Sequence, residues 1–268
     1  MKPFAQAVVI ITGGASGIGL ALGEQLHRHG ARVVLADVDE PGLRRAEQTL
    51  IGIDTRVLDV TDRHAVTALV NEIVERRGRI DYLFNNAGIG VGGDARDFAY
   101  EDWTRVIEVN LMGVVNGVAA AYPLMIEQGS GHIVNTASVA GLVPLPGELS
   151  YVASKYAVVG LSHGLRAEAA DLGVRVSVVC PGKIETPIYH TNRFVGFDRQ
   201  KTLSLLPQGI SAERCASIVL RGVARNQATI VVTRLARALW GLERLSPTLM
   251  RWASRRYMRL LRRNRLEV

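Results

Sequence analysis

Cysteine is scarce in this chain, at two in 268 residues. Cys180 closes an apolar run and Cys215 falls in a helical pattern, so both read as buried packing residues of a protein kept in a reducing compartment. Neither a disulfide framework nor a thiolate metal cluster is expected from them. Histidine is equally unhelpful to a metal: the six are scattered, and His27 and His29 would point apart on a helix, so no metal site is expected. Long uncharged apolar runs are missing too, none nearing the roughly 18 residues of a spanning helix. A strand-like run at 7–11 follows so soon after the first residue that no signal peptide fits before it. The expectation is a cytoplasmic protein with no transmembrane helix.

What the chain does have is apolar content, at 48% of residues, ample for one α/β domain with a large core. Its charge of +7 is unevenly placed. Residues 234–268 hold ten arginines against Glu243 and Glu267, while the remainder balances 22 basic against 23 acidic residues. The basic character belongs to the C-terminal end.

Strand-like runs alternate with helical patterns of ten or more residues, which predicts a doubly wound parallel sheet with ligands at the strand carboxyl ends. The first strand runs into Thr-Gly-Gly-Ala-Ser-Gly-Ile-Gly at 12–19 and then a helix. Gly13, Gly17 and Gly19 permit a tight turn, and the backbone N–H groups and helix dipole there favour a phosphate. The second strand ends in Asp37, a carboxylate able to accept hydrogen bonds from both ribose hydroxyls and to repel a 2′-phosphate. No Lys or Arg lies inside the glycine loop or directly after Asp37, so the pattern favours NAD over NADP. A third strand is read as carrying Asp59 and Val60, and a fourth ends in Asn85, Asn86, Ala87 and Gly88. A long helix from about residue 100 to 128 has Asn110 in its middle.

The richest stretch is 138–155. Ser138 stands at the end of a strand, and Tyr151 and Lys155 fall at i and i+4 of the next helix, on one face. A tyrosine with a cation beside it is a candidate general acid/base, because the cation favours the phenolate and lowers the phenol pKa. After the next strand come Pro181 and Gly182, and 183–210 reads as the longest irregular stretch, containing Thr186, Tyr189 and Phe194.

These motifs, in this order and spacing, make the chain resemble the short-chain dehydrogenase/reductase family over roughly residues 5–233. The resemblance implies a seven-stranded parallel Rossmann-type sheet with three helices on each face, in a homodimer or homotetramer. It implies Tyr151 as general acid/base, Lys155 as the residue that lowers its pKa and holds the nicotinamide ribose, Ser138 as the substrate-positioning hydroxyl, and Asn110 as orderer of a relay water. It further implies cofactor contacts at Gly13, Ser16, Gly17, Ile18, Gly19, Asp37, Asp59, Val60, Asn86, Ala87, Gly88, Pro181, Gly182, Ile184 and Thr186. The substrate pocket is expected between the segment after Ser138, with Val139, Ala140, Leu142, Pro144 and Leu145, and the loop bearing Tyr189 and Phe194. Its apolar lining suggests a hydrophobic secondary alcohol or ketone.

Residues 1–233 read as the catalytic domain and 234–268 as a helical extension broken near Pro247. In its second segment Leu249, Met250, Ala253, Tyr257, Leu260 and Leu261 share a face opposite Arg251, Arg255, Arg259 and Arg262, with Trp240 and Trp252 nearby. The extension either packs on this subunit or a neighbour, or lies on an anionic membrane surface; nucleic acid is not the expected partner. An alternative of another class is a cofactor-binding interaction protein whose tail is the functional part.

Overall fold

The computed structural model describes residues 4–266, so Glu267 of the basic extension lies outside it. Seven parallel strands form one sheet: β1 (Val8–Thr12), β2 (Arg32–Asp37), β3 (Asp54–Val57), β4 (Tyr82–Asn85), β6 (Gly131–Thr136), β7 (Val174–Cys180) and β11 (Thr229–Val231). Their order across the sheet is β11-β7-β6-β4-β1-β2-β3. The chain starts at β1, winds outward to β3, then crosses back to β4 and winds the other way. That reversal leaves a crevice at the carboxyl ends of β1 and β4, where ligands bind in such sheets.

Alternation along β1 shows why both faces are covered. Val9 and Ile11 point into one apolar layer with Leu22 and Leu26 of α1 (Gly17–Arg28), Leu43 of α2 (Glu40–Thr49) and Val219 of α9 (Ala212–Ala224). Val8 and Ile10 point into the other, with Leu69 and Ile73 of α3 (Arg63–Arg77) and Met125 of α5 (Gly113–Glu127). The second face is completed by α6 (Leu149–Glu168), whose Val158 is fully buried. Each such side chain contributes about 1.5–3 kcal/mol of burial, so the period of two in the strands fixes the layers.

Several boundaries differ from the sequence expectation. The third strand stops at Val57, and Asp59 and Val60 lie in the turn beyond it, where Asp59 accepts the backbone N–H and hydroxyl of Thr61. The long central helix is α4 (Tyr100–Ile107) and α5 joined through a π-helical turn at Glu108–Met112 that contains Asn110. Over Tyr100–Glu127 this helix reaches a mean hydropathy of 1.5, long and apolar enough to cross a membrane. That corrects the expectation that no stretch nears that length. The reason for its composition lies in the fold: Val114, Ala121 and Met125 are buried in the core layers against the sheet, and Val106 is fully buried too.

Residues 183–210 are more ordered than an irregular loop. They hold α7 (Ile188–Thr191) and α8 (Arg199–Ser204), with β9 (Arg193–Val195) pairing β5 (Val91–Gly93) and β10 (Ile210–Ser211) pairing β8 (Ile184–Glu185). The extension forms α10 (Arg234–Leu245) and α11 (Pro247–Arg262), the break falling at Ser246 and Pro247 as the proline implies. It packs back onto this subunit, burying Ala236, Met250 and Leu261.

Candidate active site

A cavity of about 880 Å³ opens at the carboxyl ends of the strands. One side is the glycine turn between β1 and α1. Gly13 and Gly17 sit at φ of 65° and 55°, where a side chain is strained, and a Cβ on Gly19 would lie 2.0 Å from the Gly13 carbonyl oxygen. Gly19 therefore lets the turn close on itself, and unlike Gly13, Ser16, Gly17 and Ile18 it does not line the cavity. Asp37 accepts the N–H of Ala15 at 3.0 Å on one oxygen and that of Asp39 at 3.0 Å on the other, which fixes the carboxylate beside the turn. A cradle that admits only bare backbone, at a helix N-terminus with an oriented carboxylate alongside, fits the pyrophosphate and adenosine ribose of a nicotinamide dinucleotide. Asp59, Val60, Asn86, Ala87, Gly88, Pro181, Gly182, Ile184 and Thr186 line the same cavity.

Two residues that hold this side together escaped sequence reasoning. The Thr12 hydroxyl accepts the N–H groups of Asn86 at 2.9 Å and Ala87 at 3.1 Å, while Asn86 Nδ2 donates to the carbonyls of Thr12 and Gly13. Thr136 donates its hydroxyl to Asn86 Oδ1 and accepts Lys155 Nζ on its carbonyl at 2.9 Å. Buried hydroxyls at the ends of two apolar strands were the available signal.

Ser138, Tyr151 and Lys155 converge on the cavity wall. The Ser138 oxygen accepts the N–H of Ala140 at 3.1 Å, which turns the hydroxyl towards Tyr151. Lys155 lies over the Tyr151 ring, with Nζ 5.5 Å from its centroid. Burial dominates both groups. It drives the Tyr151 phenol well above its ordinary range, with the Glu148 carboxyl adding to the rise and Ser138 easing it, and it lowers Lys155 to about 8. Burial thus sets the Tyr151 phenol above its ordinary range, where the sequence suggests a value below it. Asn110 is fully buried behind this wall and does not line the cavity. Its Oδ1 accepts Ile89 N–H at 2.8 Å, and its Nδ2 donates to the Ile89 carbonyl at 2.9 Å and the Ser154 hydroxyl at 3.1 Å. A Cβ on Gly88 would meet both Asn110 Oδ1 and Lys155 Nζ, so the two are neighbours.

The remaining wall is largely apolar. Leu145, Tyr189 and Phe194 line it, whereas Ala140 is fully buried and does not. Residues 139–141 form one 3₁₀ turn, and its phase turns Val139, not Ala140, to the cavity. Across from them the extension supplies Leu235, Leu239, Met250, Ala253, Tyr257 and Leu261. Its second helix is anchored by Ser254, which donates to the Pro144 carbonyl at 2.9 Å, and by Arg262 on Asp94 at 2.9 Å. The C-terminal end is therefore a wall of the site, outside what the motifs disclosed.

A sequence profile described as short chain dehydrogenase matches residues 7–193. The chain belongs to the short-chain dehydrogenase/reductase family. As an oxidoreductase of this family it is similar to a putative oxidoreductase, SadH, of Mycobacterium tuberculosis, 36% identical over 91% of this chain and 92% of that protein. A 3-oxoacyl-[acyl-carrier-protein] reductase, FabG, of Thermotoga maritima is 39% identical over 80% of this chain and 88% of that protein. Among solved structures, a short-chain dehydrogenase/reductase of Burkholderia phymatum in complex with NAD superposes with a TM-score of 0.85 at 34% identity, covering 93% of this chain and 96% of the other. The family profile ends before α8, so the cavity wall built by α10 and α11 of this short-chain dehydrogenase lies beyond the part it describes.

Proposed function

We propose that this chain is an NAD-preferring dehydrogenase/reductase that interconverts a hydrophobic secondary alcohol and its ketone. The observation that carries the reading is the convergence of Ser138, Tyr151 and Lys155 on one cavity wall opposite the glycine cradle and Asp37. When bound, the nicotinamide supplies hydride to the carbonyl carbon or takes it from the carbinol. In the reducing direction Tyr151, held as the neutral phenol, donates its proton to the substrate oxygen while Ser138 steadies that oxygen by a second hydrogen bond; oxidation reverses the transfer. Lys155, which donates to the Thr136 carbonyl, would hold the nicotinamide ribose, and Asn110 would order a relay water. NAD is favoured because the Asp37 carboxylate, fixed beside the glycine turn, would accept the ribose hydroxyls and repel a 2′-phosphate; the Burkholderia relative was solved in complex with NAD.

The mostly apolar wall, extended by α10 and α11, supports the hydrophobic substrate. We assign the protein to the cytoplasm, as a homodimer or homotetramer, with 1–233 as catalytic domain and 234–268 as the extension that completes the cavity. A second partner is supported by one observation. Arg251, Arg255, Arg256, Arg259 and Arg263 are exposed beside the half-exposed Trp252, a surface suited to an anionic membrane.

The test is a spectrophotometric assay of lipophilic secondary alcohols and ketones with NAD and with NADP. Turnover with NAD should fall at least about 100-fold in Tyr151→Phe, in line with loss of a general acid/base, while NAD binding by calorimetry persists. Activity retained in that variant would refute the assignment of Tyr151.

A further inference from the structure

Glu148 is a carboxylate without an evident structural purpose. It occupies the N-cap of α6, yet its side chain makes no capping bond. Aspartate, asparagine, serine and threonine are the residues that fold back to cap a helix; the longer glutamate reaches away into the cavity, which it lines. The other cavity carboxylates are accounted for. Asp37 and Asp59 accept backbone N–H groups, and Glu108 is exposed to solvent. Among the described residues Glu148 has no hydrogen bond and no ion pair; it is half-buried in the cavity wall, and burial lifts its pKa to about 7.

Three phenols line the cavity with it. Tyr151 comes from its own helix, Tyr189 from α7 and Tyr257 from α11, and each has its proton held more tightly by the Glu148 charge. None of the three donates to it, so its acceptor oxygens remain free. A ligand that fills the cavity displaces water from this carboxyl, so it must bring a donor or leave the group unpaired at a cost.

We propose that Glu148, with Tyr189 and Tyr257, forms a polar subsite that receives a second hydroxyl of the substrate, so that the preferred substrate is a hydroxylated ketone or a diol on an otherwise apolar skeleton. This rests on the dehydrogenase reading and narrows its substrate class. A site that hydrogen-bonds a substrate hydroxyl discriminates against the analogue lacking it, because its own buried polar groups are then left unpaired. A substrate carboxylate at this position is disfavoured by like charge.

The probes are decan-2-one and 3-hydroxydecan-2-one, compared by the ratio of kcat/KM in wild type, Glu148→Gln and Glu148→Leu. The wild type should favour the hydroxylated ketone by at least about tenfold, mainly through KM; Glu148→Gln should keep part of that ratio and Glu148→Leu should bring it near one. A ratio near one in the wild type, or a ratio unchanged in Glu148→Leu because both substrates lose rate together, would overturn the subsite. A second arm needs no turnover. Thermal stabilisation of the NAD-loaded protein by decane-2,3-diol should exceed that by decan-2-ol in wild type and in Tyr151→Phe, and the difference should vanish in Glu148→Leu. Equal stabilisation by the two in wild type would overturn the subsite. A difference that survives in Tyr151→Phe while the wild type reduces neither ketone would instead count against the dehydrogenase reading alone.

Discussion

Tyr151 and Lys155 lie one helical turn apart, and burial moves both toward their neutral forms: the phenol keeps its proton more firmly, and the ammonium gives its proton up near pH 8. The nearby Cys180 thiol, pushed up to about 12 by burial, stays neutral over the same range. Because the lysine is lowered in the folded protein, its charged form prevails below about pH 8 and is lost as pH rises through that value. If that charge holds the cofactor ribose, kcat/KM in the reducing direction, where Tyr151 acts as the neutral phenol, with NADH as the varied species should be level up to about pH 8 and then fall about tenfold per unit. Glu148 titrates near 7 on the substrate side, so the profile is best read in Glu148→Gln. A profile still level at about pH 10 would show that the Lys155 proton is not needed.

The helix α11 illustrates how an element can enter a site without announcing it. Its apolar stripe was expected to find a surface, and it does so on this subunit, where Met250 and Leu261 are buried, though Leu249 and Leu260 of the same stripe stay exposed. Its end is latched by Arg262 on Asp94 and Arg265 on Asp97, and by backbone bonds from Asp198 N–H to the Asn264 carbonyl and from Leu266 N–H to the Gly196 carbonyl. Asp94 is nearly buried; burial raises its pKa, but the arginine partner outweighs this and leaves it lowered. Removing both acids in Asp94→Asn/Asp97→Asn should weaken docking of the helix by about 1.5 kcal/mol, intermediate between exposed and buried pairs. That is roughly tenfold in its opening equilibrium. Trypsin cleavage after Arg255 or Arg259 should quicken by that factor, and the substrate KM should rise; unchanged cleavage would mean the apolar contacts alone hold α11. The same element marks the limit of what the sequence discloses. Gly13, Asp37, Tyr151 and Lys155 are legible because each answers a local demand: a positive φ, a strand end, a spacing on one helix. Ala140 is misplaced because the phase of a single 3₁₀ turn is set by packing. Glu148, at the N-cap of α6, carries no local signal of a role, since the cavity it lines is completed by α11, distant in sequence.

Over the whole molecule charge and architecture separate. The sheet and its helices are close to neutral, and the excess of arginine lies on α10 and α11. Arg262 and Arg265 are spent on the latch, but Arg251, Arg255, Arg256, Arg259 and Arg263 face outward with no acidic partner among the described residues. The inner face of the same helix walls an apolar cavity, so a membrane bound by the outer face would sit next to the compartment that takes the substrate. Each arginine near an anionic leaflet contributes about 1 kcal/mol, and the attraction fades within a Debye length. Truncation at Thr233 would be a poor test, since it removes the cavity wall together with the charge. Replacing Arg251, Arg255 and Arg259 by glutamine leaves that wall in place and should weaken binding by about 3 kcal/mol, or roughly 100-fold. In flotation with vesicles, wild type should rise with phosphatidylserine-containing membranes at low salt, stay behind with phosphatidylcholine alone, and be released as salt is raised. If wild type and the triple variant both remain in solution at about 50 mM salt, where screening is still weak, the arginines serve only to keep the outer face of α11 hydrated, and the substrate must reach the cavity from water.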